Sequence, residues 1–309
     1  MSVILNRILN QIGDPELLDK LLSLSNADLN SLLLELFDKQ TEKSTPADVL
    51  KTFQSNRFST ASDVNAARFH ILESQLLKTA EEMDIETLLL SPSAPLGSCS
   101  VFGCVNQYNV VSSVRGTETL SDPSNMLAII IADKLKSKAA TNILPLHYAA
   151  TARVVRAQAF SGRGFSAHFG LFCMVSSGKD SGSYNCEIEL LTKHFLFYKE
   201  LIREHYNAKL SIVMRKRGGY TDGGGFFTRM TEVVQTMFPD TPLTFDYENE
   251  DNKYYQGINF KIYMEHEHEK IEIGDGGFVD WMNQMLGSKK ERCLISGIGL
   301  DRLLMLHKG

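Results

Sequence analysis

Leu29, Leu32, Leu33, Leu36 and Phe37 recur at i, i+3, i+4, i+7 and i+8, the spacing of one apolar stripe along a helix. Thr45, Pro46, Ala47 and Asp48 predict a second helix start: a capping hydroxyl, proline in the first turn and a carboxylate near the positive end of the dipole. The polar run 38–44 between them predicts a loop. Residues 1–57 therefore read as a helical N-terminal extension, with QSNRFSTAS (54–62) as the linker into a main domain over 58–309. A long helix is expected at 63–83, and further helical patterns lie at 125–135 and 187–205.

Strand-like runs intervene. IETLLLSP ends at Pro92, and NVVSSV and CLISGIG follow. INFKIYMEHEHEKIEI alternates well enough to predict a single exposed or edge strand. Long strands mixed with long helices in this order predict an α+β fold, a mostly antiparallel sheet flanked by helices.

Composition narrows the class. Of 309 residues 43% are hydrophobic and 22% charged, which suits a globular chain with a sizeable core. A net charge of −5 and a pI near 5.9 give no basic footprint, so tRNA is not favoured as a partner. No apolar run is long enough for a bilayer, and MSVILNRILNQIGDPE lacks a small-residue cleavage site, so the expected location is cytoplasmic. The five cysteines have no CxxC spacing and read as reduced thiols.

Two stretches carry candidate chemistry. In SGIGLDRLLML (296–306) the leucines give a helix an apolar side, yet Arg302 stands beside it, always charged and costly there without an anion or a carboxylate. Asp301 is the wrong partner, because adjacent residues on a helix do not face each other. In ARVVRAQAFSGRGFSAHFGLF (152–172), Arg153 and Arg156 are an odd number of residues apart and point to opposite faces of a strand. Two arginines in separate glycine-flanked settings are what a triphosphate clamp needs, fixed positive charge at each end of one polyanion.

These segments resemble the signature motifs of class II aminoacyl-tRNA synthetases. SGIGLDRLLML is similar to motif 3, RVVRAQ with GRGF to motif 2, and IETLLLSP to the motif 1 strand of the dimer interface. NKYYQGINFKI, GDGGFVDWMNQMLG and VRGTETLSDPS resemble segments of the histidyl-tRNA synthetase branch. The resemblance implies ATP, with Mg2+, as the cofactor and a homodimer formed through motif 1. It places Arg156 on the α-phosphate and Arg302 on the γ-phosphate as the catalytic pair, with Gln158, Arg163 and Gly299 at the nucleotide. Glu118 or Thr119 would meet an amino group, while Tyr255, Gly257 and Gly276 would line the amino-acid pocket.

Departures from that branch are equally specific. Gln158 replaces the usual motif 2 glutamate, Glu250 falls where the substrate-facing arginine belongs, and Val279 replaces a tyrosine. Leu171 and Val175 replace a glutamine and a glutamate. A pocket stripped of those polar groups should not select histidine. The sequence ends just after the segment that resembles motif 3, so the anticodon-binding domain of that branch is not expected. The expected function is an ATP-binding ligase that activates another amino acid or related carboxylate as an acyl-adenylate, its acceptor a carrier protein, peptide or amine rather than tRNA. The alternative is a catalytically silent regulatory paralogue resembling the regulatory subunit of ATP phosphoribosyltransferase.

Three further features read more plainly. MEHEHEK puts His266 and His268 on one strand face without a third metal ligand, so no metal site is assigned. RKRGGYTDGGGF (215–226) lacks a P-loop ending and reads as a partly basic mobile loop, with an active-site lid as the second reading. Cys99 and Cys104 are expected to be buried structural thiols.

Overall fold

The computed structural model describes residues 3–137, 145–158, 166–206, 208–248, 254–266 and 269–306. Four helices open the chain: α1 (Val3–Ile12), α2 (Leu17–Leu22), α3 (Asn26–Thr41) and α4 (Pro46–Ser55). Thr45 and Asp48 form a reciprocal capping box at the start of α4. The apolar stripe of α3 is present but uncovered: Leu32, Leu36 and Phe37 stay exposed. The segment after α4 is no loose linker. Arg57 donates to the carbonyls of Ala157 and Gln158, and His168 Nε2 lies 2.5 Å from the Thr60 carbonyl.

The main body begins with α5 (Ala66–Glu82), capped by Asn65. There follow β1 (Glu86–Thr87), β2 (Ser93–Pro95), β3 (Thr117–Thr119), α6 (Pro123–Lys136), β4 (Leu146–Val155) and β5 (His168–Lys179). Then come α7 (Asn185–His205), β6 (Lys209–Lys216), α8 (Gly223–Met237) and β7 (Leu243–Asp246). The chain ends with β8 (Gln256–His266), β9 (Glu269–Val279), α9 (Trp281–Leu286), β10 (Glu291–Gly299) and α10 (Leu300–Leu306).

Eight strands form one sheet in the order β1-β4-β5-β10-β9-β8-β6-β7, antiparallel except at the β1–β4 and β6–β7 pairs. The α+β expectation is met. Alternation along β5 sorts the two faces: Phe172 and Met174 join a core with α5, α7, α8 and α10, while Cys173 and Val175 join one with α6 and α9. Because the second face is covered only by the shorter helices, its middle is left open above β5, β10 and β9.

Several local expectations are corrected. INFKIYMEHEHEKIEI is not one edge strand but the hairpin β8–β9, interior to the sheet, its reversal falling at 267–268 outside the described residues. The strand expected in IETLLLSP is only two residues long. NVVSSV (109–114) begins at the last residue of a 3-10 turn at Gln107–Asn109 and makes only a single bridge, from Ser112 to Glu118. RKRGGYTDGGGF is no mobile loop: Arg215 and Lys216 end β6, Arg217 is buried on Asn259, and Asp222 caps α8. Cys99 is buried as expected, but Cys104 is exposed.

Candidate active site

The open middle of the sheet forms a cavity of ≈ 320 Å3 that both Arg156 and Arg302 line. An adjoining lobe of ≈ 300 Å3 shares Asp122, Arg156, Tyr254, Tyr255 and Asp275 and extends to Gln158. Glycines clear the floor. An added Cβ at Gly274 would lie 2.0 Å from the Gly297 carbonyl oxygen, and one at Gly297 would lie 3.0 Å from Cys173 Sγ. Side chains at those positions would force β9, β10 and β5 apart.

Arg156 stands one residue beyond β4. Its Nε donates to the Ser121 carbonyl at 3.0 Å, Nη2 faces Asp122 Oδ2 at 3.5 Å, and the guanidinium lies over the Phe169 ring. Arg153 goes to the opposite face, as its odd spacing requires. There it donates to His168 Nδ1 at 2.9 Å and pairs with Asp301 at 3.4 Å. Asp301 also accepts from the Gly170 amide at 2.6 Å, tying α10 to β5. Arg302 is thereby turned toward the cavity, where Nη1 donates to the Glu272 carbonyl at 2.6 Å. No carboxylate pairs with Arg302 among the described residues, so its charge remains available to a ligand.

The floor is acidic and aromatic. Asp122 caps α6, accepting from the Ser124 amide at 2.9 Å and from the Ser124 hydroxyl. Tyr254 and Tyr255 meet edge to face at 4.8 Å, and the Tyr255 hydroxyl donates to Asp275 Oδ2 at 3.3 Å. Burial, with Asp275 and Asp122 nearby, holds the Tyr255 phenol far above its ordinary range. The enclosing protein likewise raises the Asp275 carboxyl, against the attraction of Lys261. Burial first and then Asp122 push the Cys173 thiol well up, so it is a neutral wall rather than a nucleophile.

A one-residue bulge aims Asp275. Across from β8, Ile262 pairs with Gly274 and Tyr263 with Glu272, leaving Ile273 between registers. The slip reverses facing along β9: Ile273 enters the core with α7 and α8, and Asp275, two residues on, faces the cavity.

The other expected residues separate clearly. Gly299 lines the cavity at the end of β10, and Gln158 reaches the second lobe. Glu118 does neither. It is fully buried and accepts from the amides of Gly97 and Cys99, the Ser98 hydroxyl and the Gln107 amide. Although burial opposes its charge, these bonds outweigh it and hold the carboxyl below the ordinary range. Thr119 bonds the Val111 carbonyl. The carboxylate that VRGTETLSDPS supplies to the cavity is therefore Asp122, four residues after Glu118. Gly257 makes a left-handed turn (φ +65°) whose amide bonds the Gly218 carbonyl, and the tyrosine and phenylalanine rings beside it exclude a side chain. Gly276 packs under Phe260 and β10. Of the altered family positions, Leu171 lines the cavity and Val175 lies in the core beneath α6. Arg163, Glu250 and His268 lie outside the described residues.

Asp122 and Asp275 were not singled out from sequence. An acid isolated among the glycines of GDGG was the available signal for Asp275, but its facing depends on a bulge that no spacing reveals.

No family model and no curated protein matches the chain in sequence. Solved structures do match in fold. An ATP phosphoribosyltransferase regulatory subunit/histidyl-tRNA synthetase from Bacillus halodurans aligns with a TM-score of 0.60 and 14% identity over 82% of each chain. Histidyl-tRNA synthetase of S. aureus gives 0.59 and 12% identity over 80% of this chain and 68% of its own. A putative threonyl-tRNA synthetase from Aeropyrum pernix gives 0.62 and 11% identity over 76% and 58%. The fold is thus that of class II synthetase-like catalytic domains. At these identities the likeness concerns architecture, and function has to be argued from the site.

Proposed function

We propose that the chain binds ATP across this cavity and activates an amino acid as its acyl-adenylate. The observation that carries the reading is that Arg156 and Arg302, 146 positions apart in sequence, line one cavity from opposite elements. Arg156, fixed by the Ser121 carbonyl and stacked on Phe169, would stabilise charge developing at the α-phosphate as the carboxylate attacks. Arg302 would hold the departing pyrophosphate. Asp122 would receive the α-amino group, the role that Glu118 is too enclosed to play. The described residues contain no group of three or more metal-ligating side chains, so Mg2+ would enter with the phosphates. The acceptor is a carrier protein, peptide or amine, and the active form a homodimer through the motif 1 segment IETLLLSP, which contains β1. No helix among the described residues is long and apolar enough to cross a membrane, in keeping with a cytoplasmic enzyme.

Calorimetric titration with ATP tests the reading. Wild-type binding should weaken about 10- to 100-fold in Arg302→Ala, the range of a charge-assisted phosphate contact. Absent wild-type binding, or equal affinity in the variant, refutes it. ATP–pyrophosphate exchange across amino acids then separates catalysis from binding alone.

One observation favours a second reading. The Bacillus halodurans protein, whose description includes a regulatory subunit, matches this chain over equal shares of both lengths. A silent regulatory paralogue would co-purify with a phosphoribosyltransferase and show no exchange activity with any amino acid.

A further inference from the structure

Asp275 is unlike the other carboxylates of the cavity. Asp122 has Arg156, Ser124 and a helix N-terminus, and Asp301 has Arg153 and the Gly170 amide. Among the described residues, Asp275 has a hydrogen bond only from the Tyr255 hydroxyl, at 3.3 Å. Its natural counterion is Lys261, directly across the ladder on β8. That lysine is turned away, with Nζ 2.7 and 2.8 Å from the two oxygens of Glu272. Gly274, Gly276 and Gly277 flank Asp275 on β9, so no neighbouring side chain shields it from the cavity.

Asp275 is exposed to the open cavity, yet the protein around it still disfavours its charge, and no ion pair among the described residues offsets that penalty. A ligand cation would remove that penalty at the moment of binding, which makes the charge a selector. We infer that the cavity discriminates for a small amino acid whose side chain ends in a cation, with the ligand's terminal ammonium or guanidinium seated on Asp275 and its edge-to-face tyrosine wall. The spatial arrangement supports the assignment: Asp122 at the start of α6 takes the α-amino end, and the aromatic ring of Tyr255 spans the gap toward β9. Tyrosine rings beside a carboxylate suit an organic cation through their negative faces. The inference rests on the reading of this cavity as an amino-acid site and adds the substrate class. The raised carboxyl of Asp275 agrees with it, since a bound cation would restore the ionised form.

The test is calorimetric titration of the full chain at neutral pH with L-lysine, L-ornithine, L-arginine, L-norleucine and L-glutamate, and separately with ATP. At least one basic amino acid should bind about 10- to 100-fold more tightly than norleucine, the range of a charge-assisted bond. Asp275→Asn, isosteric and uncharged, should erase the preference. Glu272→Gln should weaken it too, by releasing Lys261 to turn toward Asp275; this variant leaves the cavity wall intact and guards against misfolding in the first. Norleucine binding as well as every basic ligand, no binding of any of them, or a preference that survives Asp275→Asn overturns the inference. Loss of ATP binding with the basic preference intact would instead overturn the nucleotide reading and leave this one standing.

Discussion

A hydrogen-bonded chain crosses the sheet directly behind the cavity and makes the fold acid-sensitive. The Tyr198 hydroxyl donates to Ser296 Oγ at 2.7 Å, and Ser296 Oγ lies 2.8 Å from His194 Nδ1. His194 Nε2 is 2.9 Å from Ser176 Oγ, which is 2.6 Å from His147 Nδ1. With Tyr198 donating at one end, the arrangement in which both serine hydroxyls also donate along the chain makes each Nδ1 an acceptor, and in it neither ring takes a second proton without breaking a bond. Burial, and Lys193 nearby, bring His147 from 6.5 down to about 4; burial, and then His147, hold the fully enclosed His194 well below its usual value. In the unfolded chain both rings protonate near the ordinary histidine value. Between that value and the folded one the unfolded state binds more protons, so stability is complete above it and falls as the pH drops.

For His147 the interval from 6.5 to about 4, at ~1.4 kcal/mol per unit, amounts to about 3 kcal/mol. His194 adds to the loss in the same direction. The perturbation is His147→Asn, whose Oδ1 can still accept from Ser176 but does not titrate. Urea unfolding of both proteins, followed across the range from the ordinary histidine value down to the folded one, gives stability against pH. The wild type should lose up to ~1.4 kcal/mol per pH unit more than the variant. Parallel curves would refute the reasoning, because they would mean that His147 titrates alike in the folded and unfolded chain.

Three further outcomes follow from the packing. Gly274→Ala should lower stability by about 1–3 kcal/mol through its clash with the Gly297 carbonyl, seen as a reduced melting temperature. Asp301→Asn should cost about 1–2 kcal/mol and weaken ATP binding, because α10 loses its ion pair to β4; calorimetry on the variant checks both, and unchanged ATP affinity would disconnect Asp301 from Arg302. Glu118→Gln should destabilise the 97–107 loop, and the wild type should lose the corresponding stability as acid protonates Glu118, while the ranking of amino-acid ligands stays the same. A changed ranking would return Glu118 to the binding site.

How much of this was legible in the sequence differs sharply between periodicity and facing. Helices α5, α6 and α7 follow from apolar spacing, the first two with a capping Asn65 and Asp122, and their ends fall within a few residues of expectation. The β8–β9 hairpin was hidden because its reversal lies in a charged run, EHEHE, with none of the glycine, asparagine or proline that marks a turn. Alternation simply continued through it. Arg156 and Arg302 could be named because arginines in two glycine-flanked segments suit the two ends of one polyanion; that they line one cavity needed the fold. Choosing between Glu118 and Asp122 could not be done that way. Both are carboxylates in one short segment, and only the fold shows that the first is enclosed by four donors while the second caps a helix at the cavity.

The same distinction bears on what the molecule does. The proposed phosphate clamp depends on residue type and survives any small error of register, whereas the proposed ligand choice depends on a bulge that lets Ile273 enter the core while Asp275 faces the cavity. Deleting Ile273 would restore regular pairing, with Gly274 alone opposite Ile262 and Asp275 still opposite Lys261 and facing the cavity, while the core with α7 and α8 loses the Ile273 side chain. Such a variant should lose about 2–5 kcal/mol of stability, the range for emptying a buried isoleucine site, yet keep its ranking of ligands. By contrast, Asp275→Asn should fold normally. Comparing the two by thermal unfolding followed by circular dichroism, and by ligand titration, separates the packing that the bulge residue supplies from the charge that Asp275 presents: if the deletion variant folds with unchanged stability, Ile273 is not seated in the core as the register requires.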